Sequence, residues 1–410
     1  MEPPSTAHVS ARAKGYFQHS HSADGPYDPQ AVVDGRNTLM FSSNNCLGLL
    51  NDSRVIAAAA EGLRKWGIGS GSCGLLGGHS DVHKKLEESV AHFKKREACL
   101  AFSTGFLANS GTLPAIVDIL DPSLLMLDDS ISRESETIIF SDECNYTIAL
   151  AGIRMRNATT EIFRHNDMAD LRRKLKTYPR QKRKLILVEG VFGMDGDVAS
   201  LPDIVSLARK HNAMVYLDDA NATGILGKNG RGVEEYYGMT GEVDVVVGTL
   251  ARGFGGEGGF VVGSSALVDY LQVSAKTYMF SAPISPPIAC GLIKAIDIIR
   301  EEPWRRTQLL SNAEYLRNEL IELGLNICGS QTHIVPVFLG DEGRAYAAAQ
   351  FLSERGIHVP TTMWPTVPEG RARLRISVMY NHTREQLNYL ISAVKEMKQR
   401  MTDGRPSFAH

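Results

Sequence analysis

Long apolar runs are missing from this 410-residue chain. None approaches the roughly 20 residues that cross a bilayer, which argues against a membrane span. The opening residues, MEPPSTAHVSARAKG, are polar and lack the apolar centre of a secretion signal, so a cytoplasmic location is expected. Charge of one sign is missing too. The 44 Lys and Arg nearly balance 46 Asp and Glu, for a formal net charge of −2. That balance offers nothing to nucleic acid. Cysteine is scarce and scattered. Cys46, Cys73, Cys99, Cys144, Cys290 and Cys328 form no CxxC pair and no Cys/His ligand spacing. Neither a zinc site nor a disulfide framework is expected, and no other metal site is suggested. There are no internal repeats and no low-complexity linker.

What is present is an ordinary globular composition, 43% hydrophobic and 22% charged, long enough for two cores. Residues 1–50 read as an N-terminal arm, polar over about the first 37, with a short strand and turn at its end. Residues 51–290 read as a large α/β domain, and 291–410 as a small C-terminal α+β domain. DSRVIAAAAEGLRKWG (52–67) has helical periodicity behind an Asp/Ser start. Apolar runs at 98–103, 137–141, 184–190, 213–219, 243–249 and 258–263 alternate with amphipathic stretches such as 169–178 and 201–212. That alternation predicts a mostly parallel central sheet covered by helices. In such sheets ligands sit at the carboxyl ends of the strands. Ser103, Thr104, Gly105, Glu189, Gly190, Asp218, Asp219 and Thr249 all fall there.

Four motifs carry chemistry. STGFLAN (103–109) follows a strand and opens a helix, where backbone N–H groups bind phosphate, although an ordinary strand-to-helix turn has the same look. VYLDDANATGILGKNGRG (215–232) ends a buried strand on two carboxylates. One of them can hold a cationic ring nitrogen, and Asp219 or Asn221 can instead cap the next turn. TLARGFGGEGGF (249–260) offers a Thr hydroxyl for a phosphate and places Arg252 in a Gly-rich turn, as a ligand contact or as a solvated guanidinium. TVPEGRARLRISV (366–378) alternates Arg373 and Arg375 with apolar residues, so both share one strand face, suited to a substrate carboxylate or to solvent.

The order NNCLGLL, HKKLEE, STGFLAN, EGVFGMDGD, DDANATGILGKNGRG, GTLARGFGGEGGF, FSAPISPP and PEGRARLRIS resembles the α-oxoamine synthases over about residues 38–400. The resemblance implies a fold-type I enzyme of pyridoxal 5′-phosphate (PLP). Such enzymes condense an amino acid with an acyl thioester and release carbon dioxide and the free thiol, as dimers with sites at the interface. By position it implies Asp218 on the ring nitrogen, and Thr104, Gly105, Phe106, Thr249 and Ser281 around the phosphate. It implies Arg375 and Asn45 on the substrate.

The same positions also depart from the family. Arg252 stands where the family has its Schiff-base Lys, Tyr146 at the ring-stacking His, and Asn221 at a second His. Gly193 replaces a Ser and Gly74 an Arg, and residues 121–136 look inserted. Arginine offers no free amine at neutral pH, so PLP is expected to bind non-covalently if it binds. The expected function is therefore a lysine-less partner subunit, resembling the lysine-less subunit of serine palmitoyltransferase. It would pair as a heterodimer with a lysine-bearing homologue, or as a homodimer. The alternatives are an autonomous acyltransferase with altered chemistry, with or without PLP, and a non-catalytic ligand-binding or regulatory protein.

Overall fold

A computed structural model of the protein describes residues 21–117, 137–145 and 158–402. These residues fall into two compact units. The larger comprises 47–193 and 198–307; the smaller comprises the N-terminal residues to Cys46, 194–197, and 308 onward.

The larger unit is built on seven strands: β1 Ala98–Phe102, β2 Ile138–Asp142, β3 Thr159–Phe163, β4 Lys184–Glu189, β5 Met214–Asp218, β6 Val245–Thr249 and β7 Gly259–Gly263. Their order across the sheet is β1-β7-β6-β5-β4-β2-β3. All neighbours are parallel except β7, which runs antiparallel to both β1 and β6. Strands β2, β4, β6 and β7 are buried along their whole length. A strand covered on both faces needs apolar residues at every position, so continuous runs such as LILV and VVV formed here. Each large aliphatic side chain so buried contributes roughly 1.5–3 kcal/mol. Strand β3, TTEIF, was not predicted. It is an edge strand with only Phe163 buried, and half-exposed strands leave a weak apolar signal.

The helix Ser53–Trp66 starts where Asp52 accepts the amide of Arg54. It lies so close to helix Pro286–Glu301 that a Cβ on Gly62 would stand 3.0 Å from the Pro287 backbone. This close packing ties residues 286–301 to the larger unit. The division therefore falls at 307/308, whereas the sequence placed it at 290/291.

The smaller unit holds an antiparallel sheet of Ile334–Gly340, Ala372–Ser377 and Thr361–Thr362. A second sheet joins Ala23–Asp24, Gln30–Val33 and Arg36–Met40, with Ile357–His358 parallel at its edge. Residues 21–46 are thus a structural part of this unit and not a free arm. Val33, Leu39, Met40 and Phe41 are buried, an apolar pattern masked by the polar residues between them. Among the described residues no helix is long and apolar enough to cross a membrane.

Candidate functional site

Parallel strands bring their carboxyl ends to one edge, and the register sets what meets there. Glu189 pairs with Asp218, Asp218 with Val247, and Gly259 with both Phe102 and Thr249. The helix Gly105–Val117 begins at this edge, with the Thr104 hydroxyl accepting the Leu107 amide at 3.1 Å. Two glycines let the chain segments approach closely. A Cβ on Gly105 would lie 3.1 Å from the Thr249 side chain, and one on Gly259 only 2.5 Å from the Thr104 carbonyl. Phe106 is exposed at the helix start. The Ser103 hydroxyl donates to the Ala282 carbonyl, and Ser281 lines a small void beside Ser103. Thr104, Gly105, Phe106, Thr249, Ser281 and Asp218 are therefore all carried by the larger unit, at or beside the strand ends.

Thr249 behaves differently from expectation. Its hydroxyl donates to the Gly258 carbonyl at 3.0 Å and accepts the Ala251 amide at 3.2 Å. The proton expected for a phosphate is committed to closing the Gly-rich turn.

The adjacent carboxylates have separate tasks. Asp219 is fully buried and accepts Lys94 Nζ at 2.7 Å, the Thr223 hydroxyl at 3.0 Å and the Val233 amide at 3.2 Å. Lys94 also donates to Thr223 and to the Arg231 carbonyl. This pair holds the loop that follows β5. Asp218 accepts the Ala220 amide at 3.0 Å and Asn109 Nδ2 at 2.9 Å, while Asn109 Oδ1 takes the Tyr216 hydroxyl at 2.9 Å. Desolvation raises the Asp218 carboxyl above its ordinary range, against those hydrogen bonds and the field of Arg252. Asn109 and Lys94 were not singled out in the sequence. Each lies on a helix, more than 100 residues from the carboxylate it serves, and local spacing gives no hint of it.

Arg252 is half-buried in the turn after β6, where its carbonyl accepts the Gly255 amide. Its Nη1 is buried and has no hydrogen-bond partner among the described residues. Asn221 sends Nδ2 to the Val191 carbonyl at 3.0 Å, and its Oδ1 is buried with no partner among the described residues. The site thus keeps one unused donor and one unused acceptor, both costly to bury unless a ligand completes them. A Cβ on Gly193 would come within 3.1 Å of Asn221 Nδ2, so the Gly and the Asn fit each other. At Gly74, where the resemblance calls for Arg, a Cβ would meet the Tyr278 ring at 3.0 Å.

Arg375 and Asn45 belong to the smaller unit. Arg375 Nη1 donates to the Ser377 hydroxyl at 2.8 Å. Asn45 is buried, and its backbone N–H donates to the Ser43 hydroxyl. Arg373, which shares the strand face of Arg375, is buried and ion-paired to Asp195. It is neither a surface residue nor free for a carboxylate. Tyr146 and the insertion at 121–136 lie outside the described residues. Asp142, Cys144 and His165 converge at the end of β2. The Asp142 carboxylate is already taken by the Cys144 and Asn166 amides and by His165 Nδ1.

A model of the class I and II aminotransferases matches residues 36–394. A putative 8-amino-7-oxononanoate synthase from Acetivibrio thermocellus is 41% identical over 375 residues, 92% of each chain. The 8-amino-7-oxononanoate synthase of Lysinibacillus sphaericus is 41% identical over 374 residues, 91% of this chain and 92% of its own. Among solved structures, the serine palmitoyltransferase of Sphingomonas wittichii superposes with a TM-score of 0.87 at 29% identity, over 97% of this chain and 96% of that one. A serine palmitoyltransferase variant from S. paucimobilis, bound to a PLP–myriocin aldimine, gives 0.87 at 30% identity over 96% of both chains.

Proposed function

Because this chain belongs to the α-oxoamine synthase family of fold-type I, PLP-dependent transferases, we propose that it holds the family's ligands without covalent capture and serves as partner subunit to a lysine-bearing homologue. Arg252 carries this reading. A guanidinium stays protonated at neutral pH and has no electron pair to offer a carbonyl carbon, so it can bind and orient but not anchor. Lys94 is no substitute, because its ammonium is buried against Asp219, Thr223 and the Arg231 carbonyl.

The residues present fit PLP as a non-covalent ligand. When bound, PLP supplies an electron sink for carbanion chemistry. Asp218 would hold the proton on its ring nitrogen, a cation that offsets the desolvation of the buried carboxyl. The amides that open helix Gly105–Val117, with Thr104 and Ser281, would hold the phosphate. Arg252 Nη1 and Asn221 Oδ1 would gain the partners they lack. Arg375, in the smaller unit, keeps a guanidinium suited to a carboxylate.

Exposed apolar residues support a partner. Ile68, Leu76 and Phe280 are 84%, 79% and 72% exposed. They lie on segments of the larger unit that meet, since Ser285 bonds the Ile68 carbonyl and the turn Gly74–Leu76 packs on helix Lys276–Met279. Such a surface suits a second subunit.

A second reading is favoured by the 41% identity spread over nine-tenths of proteins named 8-amino-7-oxononanoate synthase. In it the isolated chain condenses an amino acid with an acyl thioester. One experiment separates the two. The protein is mixed with PLP, reduced with borohydride and mapped by mass, and thiol release from an acyl thioester is followed with and without a lysine-bearing homologue. The partner reading expects no reducible adduct and activity only on mixing. Turnover by the chain alone refutes it.

A further inference from the structure

A cavity of about 380 Å³ opens in the larger unit where helix Asp81–Lys94 ends, the loop after β5 closes and helix Pro286–Glu301 ends. Arg231, Arg300, Arg306, Asp297 and Glu301 line it. None of them belongs to the ligand site described above. Its size lies within the range of small-molecule sites.

Arg306 is 5% exposed, and among the described residues no carboxylate is in ion-pair contact with it. Its Nη1 donates to the Ile299 carbonyl at 2.6 Å and its Nη2 to the Lys228 carbonyl at 3.1 Å. Desolvation pulls its pKa below the ordinary guanidinium value. The field of Glu235 only partly offsets this desolvation, and a buried cation with no carboxylate in ion-pair contact is costly to the fold. Arg231, by contrast, is committed. It donates to Glu235 at 2.7 Å and to the Phe93 carbonyl at 2.8 Å. Glu235 also accepts the amide and side chain of Asn229, so this wall is built in advance of any ligand.

The side chains of Arg300, Asp297 and Glu301 make no hydrogen bond or ion pair among the described residues. The cavity therefore presents charge of both signs that has no ion-pair partner among the described residues. A simple anion would meet Asp297 and Glu301, and a simple amine would meet Arg300 and Arg306. A ligand bearing both charges satisfies both sets. We infer that this cavity binds a small zwitterion, an α-amino acid, with its carboxylate on Arg306 and Arg300 and its ammonium on Asp297 and Glu301.

The test titrates the full chain with each common amino acid in a thermal-shift screen, then by calorimetry with any that bind. Their N-acetyl derivatives and inorganic phosphate are titrated alongside. The expected result is an amino acid that binds through this cavity. Its affinity falls at least about tenfold in Asp297→Asn and in Arg300→Ala, is unchanged in Arg375→Ala, and is lost on N-acetylation. Both lining substitutions are at solvent-reaching positions and remove no fully buried group, whereas Arg306→Met removes one; each variant is read once circular dichroism matches the parent. The inference is overturned if no amino acid binds, if binding follows Arg375 instead of Asp297 and Arg300, or if phosphate alone binds.

Discussion

Replacing Lys94 by Met tests whether this buried amine holds the site's frame. The Lys94 and Asp219 side chains are 1% and 0% exposed, and their charged atoms stand 2.7 Å apart. Lys94→Met fills a similar volume but leaves the Asp219 carboxylate with only the Thr223 hydroxyl and the Val233 amide. It also strips a donor from the Arg231 carbonyl. Removing one partner of a buried pair costs roughly 3–5 kcal/mol, because the surviving charge is neither solvated nor compensated. In a domain of this size each kcal/mol lowers the melting temperature by about 2–4 °C. The larger unit should therefore melt roughly 6–20 °C lower in Lys94→Met. The double variant Lys94→Met, Asp219→Asn removes the stranded charge and should recover much of that loss. Differential scanning calorimetry of the three proteins at neutral pH gives the answer. A Lys94→Met protein that melts within 2 °C of the parent (about 1 kcal/mol or less) would show that the pair does not hold this loop. Equal melting of the single and double variants would show that the stranded charge is not the cause.

Three further outcomes are expected. Arg252→Lys restores an amine at the turn after β6, so borohydride should fix PLP to the peptide carrying residue 252; a reduced adduct elsewhere, or none, removes residue 252 from the anchoring position. Gly259→Ala places a Cβ 2.5–2.7 Å from the backbone of Thr104 and Gly105. It should cost about 1–3 kcal/mol and weaken PLP binding in fluorescence titration, whereas unchanged affinity would exclude this helix start from the phosphate site. In the smaller unit, His382 is buried, accepts the Met379 amide on Nδ1 and bonds the Met40 carbonyl through Nε2. Burial pulls its pKa from 6.5 down to about 4. The folded state therefore resists protonation, and the stability this gives is full above pH 6.5 and lost as pH falls toward 4. That loss is on the order of 3 kcal/mol. His382→Gln should be less stable at pH 7 but flatter over this range, and parallel melting curves would rule His382 out as the cause.

Much of the fold was legible because its elements are locally determined. Continuous apolar runs gave six of the seven strands of the larger sheet, and β3 escaped because an edge strand such as TTEIF carries a mixed pattern. The Asp52 start and helical period gave helix Ser53–Trp66. The domain boundary was not legible, since it rests on how closely Gly62 lets two distant helices approach. The N-terminal segment was misread for a similar reason: Arg36–Met40 is held by Ile357–His358, more than 300 residues away.

The site divides along the same line. Sequence by itself determined which chemical groups stand at the strand ends, because parallel strands place their carboxyl-end residues together whatever the loops do. It also determined that residue 252 is a guanidinium, and hence that no amine is available there. Only tertiary structure decided which of those groups are free. Asp219 is consumed by Lys94, the Thr249 proton by the Gly258 carbonyl and Arg373 by Asp195, while Asp218 remains beside Asn109, and Arg252 and Asn221 each keep one unpartnered atom. A buried polar group must find a partner, and that partner can come from anywhere in the chain, so its commitment is a property of the fold and not of the motif.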